Sequence, residues 1–375
     1  MAKSKSTAGK ISIGGLRTLI NKTSGLEVAH NLNEENPTDV KEWIPTGSRW
    51  LDSIICRGKL GGIPVGKITE IAGLEGTGKS FMAAQIAGNA QKMGITVVYL
   101  DAESAIDSGF MQRSGVDLDE MIYVQTQNVE QVMETIEVLM ASGQQRFLFI
   151  WDSLAMTPTI SDVEGDFNPQ STMAVKARIL SKAFQKLTIP LANTKSAFLV
   201  LNQLKTNIPS GPNARIIAMT TPWVTPGGKA TNYACSLRIW LTGRKAKSAF
   251  IEDESGFRIG SEVKVKLEKS RFGTHGRNCA FKILWGTDSV GIQDEESWLE
   301  AIKASDNLKQ TGAWYMLLAA DGESICSKFQ ASNWTKRLED EEFRNRVFEI
   351  MDDEIIRKFD AREGEAKDFY DVDKE

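Results

Sequence analysis

One segment limits what this chain can fold into more than any other: Gly73-Leu-Glu-Gly-Thr-Gly-Lys-Ser80. A short apolar run, Ile68–Ala72, precedes it, and Phe81–Met93 follows with apolar residues at helical spacing. The pattern G-x-x-x-x-G-K-S between a strand and a helix predicts a backbone loop that cradles polyphosphate. Glycines let consecutive N–H groups curl around the anion, and the following helix presents its positive end. Lys79 is expected to reach the β- and γ-phosphates as a point charge, and Ser80 to offer a hydroxyl to Mg²⁺. Gly73, Glu75, Gly76, Thr77 and Gly78 complete the expected contact set, with ATP and Mg²⁺ as the cofactors. A chance glycine-rich turn would account for the pattern but not for both of its flanks.

Further apolar runs extend the argument. Ile95–Leu100, Met121–Val124, Phe147–Trp151 and Ala197–Leu201 read as buried strands, separated by helical stretches at Val129–Met140 and Met173–Leu191. Continuous apolar strands alternating with helices predict an α/β fold with a mainly parallel sheet covered on both faces. After Tyr233, Ser236–Leu241, Ser261–Leu267 and Cys279–Leu284 follow one another without long helices, which predicts an antiparallel extension. Asp152 ends the strand Phe147–Trp151 and is the candidate second Mg²⁺-side group; a strand-end Asp can also serve only as a cap. A base or water-orienting carboxylate is needed for hydrolysis. Asp101 and Glu103 both end the strand before it, and spacing alone does not choose between them.

Composition enters as exclusion. The four cysteines (56, 235, 279 and 326) are dispersed without Cys-x-x-Cys spacing, which argues against a zinc ribbon or a disulfide framework. Two histidines, His30 and His275, leave little room for histidine-based catalysis or metal sites. No apolar run approaches a membrane span, so no membrane partner is expected. The N-terminus is basic up to Glu27; this resembles an organellar transit peptide, but Leu16, Leu19 and Ile20 also fit a short packing helix. The net charge of −4 is misleading, because residues 339–375 carry −8 and the remainder +4. A mildly basic body with an acidic tail is compatible with a nucleic-acid partner. The tail reads either as a solvated terminus or as a screen for the basic body.

Over Pro45–Lys282 the chain resembles RecA-type recombinases, including the phage UvsX-like branch. The resemblance rests on PTGSRWLDSIICRG (45–58), GGIPVGKITEIAGLEGTGKS (61–80), DAESAID (101–107), FIWDSLAMTP (149–158), VLNQL (200–204) and PGGKATNYACSLRI (226–239), with GAWY (312–315) beyond. It implies a RecA-type P-loop ATPase core at residues 45–285, an N-terminal polymerisation arm and linker at 1–44, and a small α+β C-terminal domain with an acidic tail at 286–375. It implies that Glu103 is the catalytic glutamate, that Asp107 lies near the adenine, and that Phe110 replaces the usual base-stacking tyrosine. A phenyl face still stacks. Gln203 aligns with the glutamine that senses the γ-phosphate and relays its presence to the DNA-binding loop. Lys269 and Arg271 align with two basic residues that reach ATP on the neighbouring subunit, the second being Lys in bacterial RecA.

The same resemblance implies two DNA-contacting loops. The first spans Glu164–Met173 and enters a helix carrying Lys176 and Arg178; the second spans Leu204–Gly228, longer than in bacterial RecA. Lys205, Arg215 and Lys229 are expected to neutralise phosphates without sequence preference. Backbone N–H groups of Gly227 and Gly228 are candidates for holding a phosphate. Met173 or Trp223 could wedge between base steps; Trp223 could equally be a packed loop residue. Gly, Pro, Thr and Asn dominate the second loop, which is expected to be mobile without DNA.

The function implied is an ATP-dependent recombinase that polymerises on single-stranded DNA, samples double-stranded DNA and exchanges strands. Expected partners are both DNA forms and further copies in a helical filament, with single-strand-binding and mediator proteins as candidates, in the cytoplasm of a bacterium or a phage-infected host. A hexameric helicase or branch-migration motor on the same fold is the alternative, and a non-catalytic mediator is a third reading from another class.

Overall fold

The structure, a computed structural model, describes residues 11–25, 28–34, 36, 38–104, 106–143, 145–165, 175–243, 249–286 and 290–357. It divides into two compact units, residues 1–41 and 42–375. In the first, helix α1 (Ile13–Ser24) starts at Ser12, whose hydroxyl accepts from the Gly15 N–H, and stops at Gly25 in a left-handed conformation. Both ends thus follow ordinary capping chemistry. Leu16, Leu19 and Ile20 form the expected helical row, and all three are exposed.

The second unit is built on a ten-stranded sheet. Its strands include β1 (Ile68–Gly73), β2 (Thr96–Asp101), β3 (Met121–Gln125), β4 (Phe147–Asp152), β5 (Ala197–Gln203), β6 (Leu237–Gly243), β7 (Arg258–Ser270), β8 (Asn278–Leu284) and β9 (Gly291–Gln293). The order is β9-β8-β7-β6-β1-β5-β4-β2-β3, with Phe250–Glu252 pairing with β7. From β6 to β3 every neighbouring pair is parallel. From β6 outward through β7, β8 and β9 the pairs are antiparallel. The mainly parallel sheet and its antiparallel extension therefore follow the sequence expectation.

Helices cover both faces. α2 (Lys79–Lys92) buries Met82, Ala83, Ile86 and Ala90 against one face. α3 (Val129–Ala141) and α4 (Val175–Asn193) bury Val132, Ile136, Leu180, Phe184 and Leu187 against the other. Strands β1, β2 and β4 are buried along nearly their whole length, which is why they read as unbroken apolar runs. A separate apolar cluster around Trp298, Leu317, Phe329, Trp334, Phe343 and Val347 organises the C-terminal region. There the antiparallel strands Leu308–Thr311, Trp314–Leu317 and Phe329–Gln330 accompany helices Glu295–Ile302 and Glu341–Met351. Cys56, Cys235 and Cys279 are buried, Cys326 is half-buried, and all four are free thiols.

Candidate active site and nucleic-acid loops

Strand register assembles the site. Gly73, the last residue of β1, lies opposite Gln203, the last of β5. Asp152, the last of β4, lies opposite Asp101, the last of β2. Four adjacent parallel strands thus deliver their carboxyl ends to one edge of the sheet, where the crevice of an open α/β sheet takes its ligand.

After β1 the chain turns through residues 74–78 into α2. Gly78 has φ +84°, and a Cβ there would lie 2.5 Å from the Ile283 Cδ1, so only glycine fits. The buried Thr77 hydroxyl donates to the Leu74 carbonyl at 2.8 Å and braces the turn. Gly76 and Glu75 are exposed at its tip. The Lys79 ammonium donates to the carbonyls of Gly73 (3.3 Å) and Leu74 (3.0 Å). Burial lowers its pKa, while Asp152 and Glu103 pull the other way.

The Ser80 hydroxyl lies 3.1 Å from the Asp152 carboxylate. A hydroxyl and one carboxylate, both hard oxygen donors, are what Mg²⁺ takes when phosphates and water complete its octahedron. The pair therefore fits the expected ion. Tyr99 donates its hydroxyl to the same carboxylate at 2.7 Å. Burial raises the Asp152 pKa, the Tyr99 hydrogen bond opposes this, and the Glu103 charge adds to it. A cation at this point would relieve that charge crowding.

The two carboxylates that spacing left open have different surroundings. Asp101 is buried; its Oδ1 accepts from the N–H groups of Glu103 and Ser104 at 2.8 Å each, and its Oδ2 from the Tyr123 hydroxyl at 2.9 Å. It is occupied in shaping the turn. Glu103 is exposed, and its Oε1 accepts from the buried Ser153 hydroxyl at 2.5 Å. Of these two carboxylates, Glu103 is the one exposed to solvent. Asp107 caps the helix Ser108–Arg113, accepting from the Phe110 N–H at 2.6 Å. That capping sets Phe110 edge-on against Phe81, with centroids 4.4 Å apart. Phe81 in turn lies near Trp285, giving an aromatic group beside the phosphate loop. Tyr99, Tyr123, Ser153, Phe81 and Trp285 were missed by sequence reasoning, because nothing local marks a residue that acts across strands.

Lys269 and Arg271 are held elsewhere in this chain. The Lys269 ammonium donates to the carbonyls of Asn232 and Tyr233, and Arg271 Nη2 donates to the Tyr233 carbonyl at 2.8 Å. Burial and the neighbouring Arg271 lower the Lys269 pKa. Among the described residues, neither is hydrogen-bonded to the phosphate loop or to Glu103.

Met173 and most of the first loop lie outside the described residues, as does the acidic tail beyond residue 357. Arg178 is exposed on α4. The Lys176 ammonium donates to the carbonyls of Leu154 (2.8 Å) and Thr157 (2.6 Å), and burial lowers its pKa. It ties α4 to the segment after β4.

The second loop is not devoid of regular structure. Lys205–Thr206 pairs with Trp223–Val224, enclosing helix α5 (Ala214–Thr220), and helix α6 (Gly228–Ala234) follows. Local propensity in ARIIAMT overrides the glycine- and proline-rich surroundings. Trp223 packs against the cluster of Ala72, Leu204 and Trp240, which favours the packed reading over a free wedge. Lys205, Arg215, Gly228 and Lys229 are exposed, and Gly227 is half-buried at the start of α6. Also exposed are Ile208 at 87%, Ile216 at 63% and Met219 at 76%, an apolar surface not foreseen from sequence.

Residues 15–291 match the family model described as the RecA N-terminal domain. The chain is similar to Protein RecA of Fusobacterium nucleatum, 34% identical over 298 residues, covering 79% of this chain and 73% of that protein. It is similar to Protein RecA of Bifidobacterium breve, 31% identical over 296 residues, covering 79% and 70%. Protein RecA of Haemophilus ducreyi is 29% identical over 357 residues, covering 93% and 90%.

Proposed function

The chain belongs to the RecA family, and from that premise we infer that it is an ATP-dependent recombinase acting in DNA recombination and repair. RecA-family proteins are DNA-dependent ATPases that use ATP and Mg²⁺; the residues here fit both. The observation that carries the reading is the convergence of Lys79, Ser80, Asp152, Glu103 and Gln203 on one sheet edge.

In the proposed mechanism, the phosphate loop and the start of α2 bind the polyphosphate, with Lys79 leaving the Gly73 and Leu74 carbonyls to meet it. Ser80 and Asp152 would hold Mg²⁺, which when bound would supply positive charge to the phosphates. Glu103, oriented by Ser153, accepts a proton from the attacking water. Phe110 offers a ring face to the base, with Asp107 fixing its helix. Gln203 reads the γ-phosphate from the end of β5. Lys269 and Arg271 supply positive charge to the site of the next protomer, where it stabilises the transition state. Arg271 suits phosphate through its planar fork.

Polymerisation on single-stranded DNA brings these protomers together. We assign residues 1–44 to the polymerisation arm, 45–285 to the ATPase core and 286–375 to a small C-terminal domain. The exposed row Leu16, Leu19 and Ile20 supports the first assignment. Exposed Lys205, Arg215 and Lys229, with Arg178, are the proposed phosphate contacts. The filament is proposed to pair single-stranded with double-stranded DNA in the cytoplasm. The longer second loop and Arg271 in EKSR support a place in the phage UvsX-like branch; a sequence tree placing the chain among bacterial proteins would remove that refinement. Neither fold nor relatives favour the ring-helicase alternative. Electron microscopy with single-stranded DNA and a slowly hydrolysed ATP analogue is the test. Helical filaments with DNA-stimulated phosphate release are expected; monomers with both ligands in excess would overturn the reading.

A further inference from the structure

Beneath the root of the second loop lies a buried charge to which the mechanism above assigns no part. Glu70, in the middle of β1, is fully buried, three residues before the phosphate loop begins. Its neighbours in register are Val200 on β5 and Arg238 on β6. Oε2 accepts from Arg238 Nε at 2.5 Å, and the Arg238 side chain is only 7% exposed. Oε1 accepts from Asn202 Nδ2 at 2.8 Å. The carboxylate thus holds one partner on each flanking strand.

Both partners reach further, to adjacent residues. Arg238 Nη2 donates to the Thr225 hydroxyl at 2.9 Å, and Asn202 Nδ2 donates to the Pro226 carbonyl at 3.0 Å. Thr225 and Pro226 are the root of the second loop, directly before Gly227 and α6. At the other end, Asn202 Oδ1 accepts from the Gln203 N–H at 2.9 Å. Beyond the root, α6 ends in the carbonyls that receive Lys269 and Arg271. A continuous hydrogen-bonded path therefore joins Gln203, the β1 strand below the phosphate loop and the anchored end of the second loop.

Burying an ion pair gives little net stability compared with apolar residues of the same volume, because desolvation offsets the attraction. Such a pair does fix geometry, since any shift that separates it leaves an uncompensated buried charge. Asn202 is bonded at once to the Gln203 N–H, to Glu70 and to the Pro226 carbonyl. Two sites that bias one such element are coupled in free energy, and reciprocally.

We propose that Glu70, Arg238 and Asn202 are positioning residues that transmit nucleotide state at Gln203 to the Thr225–Pro226 root of the second loop, and DNA occupancy back again. This rests on the recombinase reading above and deepens it. The element is a transmission, not a contact: none of the three residues needs to touch ATP or DNA.

The test measures coupling, which a merely structural role would leave alone. The affinity of a fluorescent single-stranded oligonucleotide is measured with and without a slowly hydrolysed ATP analogue; the ratio of the two is the coupling factor. Thr225→Val removes the loop end of the Arg238 arm and leaves the buried pair intact. It is expected to lower the factor about 10-fold, within the usual range for allosteric coupling, with analogue affinity in the absence of DNA unchanged. Thr225→Ser keeps the hydroxyl and should restore the wild-type factor. Glu70→Gln, checked for an intact thermal transition, should lower the factor likewise, and adding Thr225→Val to it should have no further effect. Wild-type coupling in Thr225→Val, or equal loss in Thr225→Ser, overturns the proposal while the recombinase reading stands. A wild-type protein that shows neither coupling nor DNA-stimulated phosphate release overturns that reading, and this proposal with it.

Discussion

Two connections leave the same edge of the sheet and end in a helix, yet they are built in opposite ways. The one after β1 takes five residues to reach α2; it is braced by Thr77 and admits no side chain at Gly78. The one after β5 runs from Leu204 to Gly227 before α6 begins, with a two-residue ladder, an exposed helix and isoleucines facing solvent. The first closes on a small anion of constant shape, so its geometry can be stored in the chain. The second is proposed to meet a polymer of varied sequence and form. Its root is fixed by buried charge while its span presents side chains outward, and exposed apolar groups at such a site mark a binding surface.

This contrast can be broken experimentally, beginning at the stored geometry. Glu103→Gln should lower DNA-stimulated phosphate release by about 10²–10⁴-fold, the range for losing a general base, while nucleotide affinity by equilibrium dialysis stays near wild type. Retained hydrolysis would mean that another group activates the water. Ser153→Ala should cost less, about 10-fold in turnover, because Glu103 loses one orienting hydrogen bond and keeps its chemistry. The check is a single-turnover rate measured with the analogue-binding affinity; a change in affinity alone would make Ser153 a binding residue instead.

At the adaptable connection the expected effects are smaller and differ in kind. Arg215→Gln should weaken single-stranded DNA binding equally for all sequences and reduce the slope of log affinity against log salt by about one. An unaltered slope would remove Arg215 from the phosphate contacts. Met219→Ser, at a residue 76% exposed, should change folding stability by no more than about 0.5 kcal/mol; a larger loss in a urea melt would mean that α5 is packed after all.

A control lies away from both connections. Asp52 is buried and accepts from the Thr46 N–H and hydroxyl, and burial pushes its pKa up from 3.8 to about 8. The folded chain therefore holds this proton more tightly than the unfolded chain. The stability Asp52 contributes is complete below pH 3.8 and is lost as pH rises through about 8. Asp52→Asn should flatten the fall in stability across that window, read from urea melts at several pH values, and leave turnover and salt slope unchanged. A shift in either would mean the two connections are less local than their construction implies.

The sequence by itself determined whatever depends on contiguous residues. The phosphate loop, the apolar strands, the helices at Val129 and Val175 and the antiparallel run after Tyr233 were legible because local pattern and burial coincide there. Glu103 could be separated from Asp101 only through the family resemblance; in space the two differ through Tyr123 on β3, which binds Asp101, and Ser153 just after β4, which binds Glu103. Nothing in the sequence marks the two carbonyls, more than 18 positions away along the chain, to which Lys176 is bound. Glu70 looks like a polar interruption of an apolar strand until Arg238 and Asn202 stand on either side of it. Strand register decided these cases, because hydrogen bonds and charge act over a few ångströms in space regardless of their distance along the chain.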